Sequence, residues 1–202
     1  MPLGAFKAAL MGTAGVSTTG DVVLLSTQTA SNAATVSITS GIDSTYGEYI
    51  IKVYAMNPAT NDTHFSFQGS IDGGSNYNVA ITSTFFLSSH YENDSATDLT
   101  YNTGNDQAQG TGFQNVNLNL NSQADDCLVG ELHLFNPSST TYVKHFTSKW
   151  SGVTSVAAGE PKGANQHSFV AGYFNTTDNI DALQFKMASG NFDGTIKMWG
   201  VK

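Results

Sequence analysis

The chain has 202 residues, of which 12% are charged, and a formal net charge of −8. Its single cysteine excludes an intramolecular disulfide framework. Its eight basic residues are all lysines and form no cluster, which argues against binding to nucleic acid or to an anionic membrane. The length suits one all-β domain, since β-sandwiches of about 200–250 residues commonly form a single unit.

The first fifteen residues differ from the rest of the chain because they are rich in alanine and other apolar residues. Leu3, Phe6 and Leu10 follow the i, i+3, i+7 spacing of one helical face. Lys7 interrupts the apolar run, which is also too short, so the segment fits neither a secretory signal nor a membrane span. A helix this short is marginal alone. We therefore predict that residues 1–20 form a helical or extended docking arm and a connector.

From residue 21 onward, short apolar runs alternate with turn-forming residues, a pattern typical of an all-β protein. Strands are predicted in turn within residues 21–30, 33–41 and 48–57. In the third of these, alternation assigns one face to Tyr49, Ile51, Val53 and Ala55 and the other face to Ile50, Lys52, Tyr54 and Met56. Both faces carry apolar residues, which indicates a central strand covered on both sides.

Two hairpins are predicted next. Asp72–Ser75 contains two glycines and divides residues 64–87 into two strands. Asn136–Ser139 divides residues 127–150 in the same way. Between the hairpins, the segment 113–121 alternates apolar and asparagine residues. Val116, Leu118 and Leu120 are predicted to face the core, and Asn115, Asn117 and Asn119 to face water or a partner.

The remaining strands are predicted within residues 167–175, 181–190 and 194–202, for a total of about ten to twelve strands. Evenly spaced short strands with turn residues between them predict a two-sheet, jelly-roll-like β-sandwich over residues 21–202. Two longer stretches, Ser88–Gly112 and Ser151–Gln166, are predicted to be irregular functional loops.

The aromatic residues in or beside these stretches are candidates for contact with a glycan or a protein partner. Tyr91 and Tyr101 lie in the first stretch, and Trp150 directly precedes the second. Aromatic rings stack on sugars and anchor interfaces, although aromatic residues within strands more often belong to the core.

Metal binding and catalysis find little support. A tight turn at Asn136–Ser139 places His133 opposite Lys144 or His145, with Glu131 nearby, which leaves open a metal site or an ordinary cross-strand pair.

Cys127 follows two aspartates, so it is predicted to be a small buried apolar residue rather than a reactive thiol. No hydrolase or nucleotide-binding motif is present. We predict no catalytic residue, no metal and no cofactor.

Two acidic, asparagine-rich segments leave a similar choice. Glu92 and Asp94 lie in one, and Asp178 and Asp181 lie in the other. Calcium takes ligands of this kind, but the EF-hand spacing is absent. Asx-turns in solvated loops are the simpler interpretation.

Several segments together resemble small virion proteins of tailed bacteriophages, of the kind found in marine and cyanobacterial phages. They are MPLGAFKAALMG, SITSGIDSTYGEYIIKV, LHLFNPSSTTYVKHF, SFVAGYFNTTDNIDALQFKMASGN and GTIKMWGVK. The resemblance implies a non-enzymatic β-sandwich, trimeric, carried on the virion as a capsid decoration or cement protein or as a tail or head fibre component. Its partners would be other virion proteins and copies of itself, assembled in the host cytoplasm. The alternative is a glycan-binding adhesin or receptor-binding module that recognises host surface carbohydrate.

Overall fold

The computed structural model describes residues 21–155 and 163–202. Within them there is no helix, and 61% of the residues lie in strands, which confirms the all-β prediction. The strands are β1 Val22–Ala33, β2 Thr35–Ile38, β3 Glu48–Pro58, β4 Thr63–Ser70, β5 Ile81–Tyr91, β6 Thr97–Tyr101, β7 Ala108–Gly110, β8 Gln114–Leu120, β9 Leu128–Phe135, β10 Lys144–Thr154, β11 Ala164–Phe174, β12 Ala182–Met187 and β13 Phe192–Val201.

All these strands join one antiparallel hydrogen-bonded network rather than two separate sheets. The main path is β1-β13-β3-β9-β10-β8-β4-β12-β2, and β10 also pairs with β11, which continues to β5. β6 and β7 both pair with β5. β10 and β8 share a single residue pair, Thr154 with Leu120. The network therefore turns a corner at that pair.

Beyond the corner, the segment β8-β4-β12-β2 packs over the wider part of the network. Phe65 and Phe67 of β4 meet Trp150 and Phe146 of β10 edge-on, with ring centroids 5.9 and 5.2 Å apart. Edge-to-face pairs of this kind are worth about 0.5–1.5 kcal/mol beyond their area burial. These rings form the centre of the core.

Buried polar side chains replace main-chain pairing where β8 runs beside β11. The Ser168 hydroxyl donates a hydrogen bond to the carbonyl oxygen of Val116, and the Leu118 amide donates to Gln166 Oε1 over 3.0 Å. Ser168 is fully buried and Gln166 nearly so. A buried amide or carbonyl left without a partner costs about 1–3 kcal/mol. The core face of β11 therefore needs polar residues.

The first predicted hairpin is wrong, although its turn forms. The Ser75 amide donates to the carbonyl oxygen of Asp72 over 3.4 Å, and Gly73 and Gly74 have positive φ as expected. The flanking strands do not pair with each other, because β4 lies between β8 and β12 while β5 pairs with β11. Residues 71–80 carry the chain from one part of the network to the other.

The second hairpin is confirmed, but its register differs. The Ser139 amide donates to the carbonyl oxygen of Asn136, as a turn requires. β9 ends at Phe135 and β10 begins at Lys144, so the connection is longer than a tight turn. As a result, His133 lies opposite Thr147 rather than Lys144 or His145.

Two predicted face assignments are also wrong. Ala55 has a φ of 49° and forms a β-bulge, which turns Met56 into the core in its place. Asn117 is fully buried, because β8 is covered on both faces. Its side-chain amide has no hydrogen-bond partner among the described residues.

Both stretches that were predicted to be irregular contain strand residues. Residues 88–112 contain the end of β5 and all of β6 and β7. β10 and β11 pair from Lys144 with Phe174 to Thr154 with Ala164, so residues 151–154 and 164–166 lie in strands. Residues 156–162 lie outside the described residues. The predicted docking arm, with Leu3, Phe6 and Leu10, also lies outside them.

Candidate functional site

The outer surface of β11, β5 and β6 carries a cluster of exposed apolar and aromatic side chains. We call the cluster of Phe86, Leu99, Tyr101, His167 and Phe169 the aromatic face. The rings of Phe86 and Phe169 stack with centroids 5.0 Å apart and planes 14° from parallel. Even so, Phe86 is 40% exposed and Phe169 is 37% exposed. Leu99 is 77% exposed. Pairing places Tyr101 opposite Phe86, which brings it onto the same surface.

Strand alternation explains why these residues point outward. In β11, Gln166 and Ser168 point inward to serve β8, so Phe169 must point to solvent. In β5, Phe85 fills the core, so its neighbour Phe86 must also point outward. The usual pattern is thus inverted at the aromatic face: Ser168 is buried, and its neighbour Phe169 is exposed.

Polar contacts orient the edges of the aromatic face. The Tyr101 hydroxyl donates a hydrogen bond to Asp106 Oδ2 over 2.7 Å, and this bond to a carboxylate raises the pKa of Tyr101. The His167 ring lies 4.5 Å from the Phe169 ring. The tyrosine ring is therefore held in place while half of the residue stays exposed.

A row of charged side chains adjoins the aromatic face on β3, β9 and β10. The Glu131 carboxylate forms ion pairs with the ammonium groups of Lys149, at 3.0 Å, and of Lys52, at 3.4 Å. The hydrogen bond from Lys149 is the main reason that the pKa of Glu131 is lowered. His133 Nδ1 lies 2.5 Å from Glu48 Oε1. These charges neutralise one another. Across residues 21–155 and 163–202, no three His, Cys, Asp or Glu side chains are placed to hold a metal ion.

The acidic segments use their carboxylates for local hydrogen bonds. Asp181 accepts the Gly73 amide at 3.0 Å, and Asp94 lies 3.0 Å from the His90 ring. The Asx-turn contact in the first segment is made by Asn93 instead, whose Oδ1 accepts the Ser95 amide over 3.1 Å. Cys127 is half-buried, so it is less enclosed than predicted.

A cleft of about 730 Å³ opens between residues 44–47 and residues 135–145. We call it the loop cleft. It is lined by Ser44, Tyr46, Gly47, Phe135, Asn136, Ser138, Ser139, Tyr142, Val143 and His145. The Asn136 amide donates to the carbonyl oxygen of Gly47 over 2.7 Å, which joins the two sides.

Hydrogen bonds hold both walls of the loop cleft. On one wall, the Tyr142 amide donates to Ser139 Oγ over 3.1 Å, and the Lys144 ammonium group donates to the Tyr142 carbonyl oxygen over 2.7 Å. On the other wall, the Tyr49 hydroxyl donates to the Asp43 carbonyl oxygen over 2.9 Å. Burial raises the pKa of Tyr49 and lowers that of Lys144.

The three aromatic residues predicted from the sequence do not form one site. The prediction that Trp150 is exposed is wrong: it is 1% exposed, and its ring contacts Phe65 in the core. Tyr101 is exposed, as predicted. Tyr91 is half-buried at the end of β5, where alternation turns it away from the surface that carries Phe86.

The sequence predictions missed Phe86, Leu99 and Phe169 on the aromatic face and Tyr46 and Tyr142 in the loop cleft. One feature of the sequence pointed to the aromatic face: two adjacent phenylalanines, 85 and 86, in a single strand cannot both face the core.

Comparison with known proteins assigns no family, because the chain matches no protein-family model and no curated protein. Within the described ranges, no helix has the length and apolar character required to cross a bilayer. The aromatic face and the loop cleft are therefore the features of the molecule from which a function can be inferred.

Proposed function

We propose that the protein is a non-enzymatic structural component of a bacteriophage particle, and that its aromatic face is covered by a second copy of the chain. The observation that supports the proposal is the stacked pair Phe86 and Phe169, exposed beside Leu99. Solvent-exposed apolar clusters of this kind mark interaction surfaces. Aromatic residues are enriched in the cores of protein interfaces.

The exposed phenylalanines would contribute more when covered than in the monomer. Full burial of one such side chain contributes about 1.5–3 kcal/mol relative to exposure. The neighbouring charges are already paired within the chain, as Lys52 and Lys149 are with Glu131, so a partner needs no matching charge there. A head-to-tail contact repeated around a three-fold axis closes into a trimer, the state that the phage resemblance implies.

The docking arm remains part of this proposal. Residues 1–15 would join the domain to other virion proteins, as a capsid decoration or as a tail or head component. Deletion of residues 2–12 is expected to abolish incorporation into particles while the domain of residues 21–202 stays folded. Incorporation of the deletion variant at wild-type occupancy would contradict this role.

The aromatic contacts between β4 and β10 also support the predicted two-sheet, jelly-roll-like sandwich. We interpret the single network as a two-layer, jelly-roll-like sandwich, in which β8-β4-β12-β2 forms one layer and the corner at Thr154 and Leu120 joins the layers. An architecture of this kind presents wide outer surfaces to neighbouring subunits.

Self-association of the purified protein tests the main proposal. Phe169→Ser and Leu99→Ser are expected to shift the protein to the monomer in light scattering and sedimentation, without loss of the folded state. Ala171→Ser changes an exposed residue on the same surface of β11, outside the aromatic face, and serves as the matched control. If the wild-type chain stays monomeric at every concentration, or if Phe169→Ser assembles as the wild type does, the proposal is wrong.

The second candidate function is glycan binding, as an adhesin on the same particle. The loop cleft favours it, because aromatic rings and uncharged polar groups line one concave site. A glycan array with the purified protein provides the test. Because the contact involves no charges, we expect binding to be retained at high salt.

A further inference from the structure

We propose that the loop cleft binds one residue of a neutral saccharide, with the sugar ring against the side chain of Tyr142. This inference deepens the second candidate function and depends on it. It is independent of self-association through the aromatic face, which lies on β11, β5 and β6 rather than on the loops that line the cleft.

Tyr142 is the feature that points to a ligand. It is 73% exposed, although its main chain is held on both sides by the hydrogen bonds from its amide to Ser139 Oγ and from Lys144 to its carbonyl oxygen. These bonds fix the point from which the Tyr142 side chain leaves the main chain. Binding then has to order only the two side-chain torsions of this tyrosine, so the loss of conformational entropy is small.

The lining of the loop cleft suits the two sides of a sugar. Apolar surface comes from Tyr46, Phe135 and Val143, against which the C–H face of a pyranose can pack. Hydrogen-bonding capacity comes from the hydroxyls of Ser44 and Ser138, which line the cleft. These hydroxyls donate or accept, as sugar hydroxyls do.

The charge of the lining selects the class of ligand. No Asp, Glu or Lys is among the described residues that line the loop cleft, and His145 is its only titratable group besides Tyr46 and Tyr142. No Lys lines the loop cleft to pair with a phosphate or a carboxylate, and no Asp or Glu lines it to pair with an ammonium group. Hydrolysis of a glycoside needs two carboxylates across the bound sugar. The loop cleft therefore fits a neutral sugar that is bound and not cleaved.

The size of the site agrees with a small ligand. Its volume of about 730 Å³ lies within the range of about 300–1,000 Å³ that small-molecule sites occupy. The hydrogen bond between the Asn136 amide and Gly47 joins its two sides, so the space does not depend on a loop movement.

Nuclear magnetic resonance titration tests the assignment. The probes are the methyl glycosides of glucose, galactose and N-acetylglucosamine, followed by the neutral oligosaccharides that an array identifies. At least one is expected to shift the amide resonances of residues 135–145. Tyr142→Ala should weaken binding about tenfold, the effect of losing one ring contact. Tyr142→Phe should retain most of the affinity, because the ring remains.

Tyr54→Ala is the matched control, since Tyr54 is an exposed tyrosine on the outer surface of β3, away from the loop cleft. Its affinity for the probes should equal that of the wild type. If a probe binds but Tyr101→Ala or Phe169→Ala abolishes binding while Tyr142→Ala does not, the assignment to the loop cleft is wrong and glycan binding itself stands. If no neutral saccharide on the array or in solution binds, both fail, whereas assembly through the aromatic face is unaffected.

Discussion

The side chain of Lys144 holds the main chain of Tyr142, because its ammonium group donates a hydrogen bond to the Tyr142 carbonyl oxygen over 2.7 Å. The same group donates to the carbonyl oxygen of Thr176 over 3.1 Å. Lys144 is itself fully buried. A buried lysine thus connects the start of β10 to the segment after β11 and fixes one wall of the loop cleft.

Lys144→Met is expected to lower the free energy of unfolding by about 2–4 kcal/mol, since two carbonyl oxygens lose a buried donor. The loss is measured by urea unfolding. Lys149→Met on the exposed side of the same strand is the control, and it should cost at most about 1 kcal/mol because its pair with Glu131 is solvated. Equal losses for the two variants would contradict the structural role of Lys144.

Gly130→Ala is expected to destabilise the protein by about 1–3 kcal/mol through overpacking. A Cβ atom at Gly130 would lie 2.7 Å from the carbonyl oxygen of Lys149 and would clash with the indole ring of Trp150. Thermal unfolding measures the effect. Gly112→Ala, where a Cβ atom meets nothing within 4 Å, should leave stability nearly unchanged.

Trp150→Ala is expected to lower the free energy of unfolding by about 3–5 kcal/mol, the usual cost of removing a large core aromatic residue. Trp150→Phe should cost less, because the indole nitrogen has no hydrogen-bond partner among the described residues and the ring contact with Phe65 is kept. Denaturant unfolding followed by circular dichroism compares the two variants. A stable Trp150→Ala variant with altered glycan binding would show that Trp150 is at the surface.

The turn after β4 predicts a pH dependence. Asp72 accepts hydrogen bonds from the Asn76 side chain, the Ser70 hydroxyl and the Asn76 amide, and these lower its pKa from 3.8 to about 2. The unfolded chain therefore binds more protons in this window, so the stabilisation is complete above pH 3.8 and is lost as the pH falls toward about 2.

The pKa of Asp72 can be measured by carboxyl-carbon resonance titration. Asp72→Asn should show a smaller fall in stability between about pH 5 and about pH 2 than the wild type shows. Titration of the Asp72 carboxyl at its ordinary value would mean that these hydrogen bonds do not persist in solution.

The sequence predicted the positions of the strands better than it predicted which strands pair with each other. Alternation and turn residues located most strands, including those around Asp72–Ser75, because these features are local. Strand pairing is not local, so the separation of β4 from β5 was not visible. The length of the connection before β10 shifted His133 away from its predicted partner in the same way.

The candidate sites were harder to predict for a related reason. Trp150 shares its face with Phe146 and Ser148, but also with Lys144, a residue type that seldom lies in a core. Ser168 and Phe169 exchange their usual places because β8 needs a hydrogen-bond donor from β11. Only the three-dimensional neighbourhood of β8 shows that requirement.

The inverted polarity of β11 has a consequence for the energetics of the isolated chain. By facing Ser168 inward and Phe169 outward, a single subunit gives up hydrophobic stabilisation that burial of the phenylalanine would supply. If copies cover Phe169, that stabilisation returns by mass action. The melting temperature of the protein should then rise with its concentration, and for Phe169→Ser it should not.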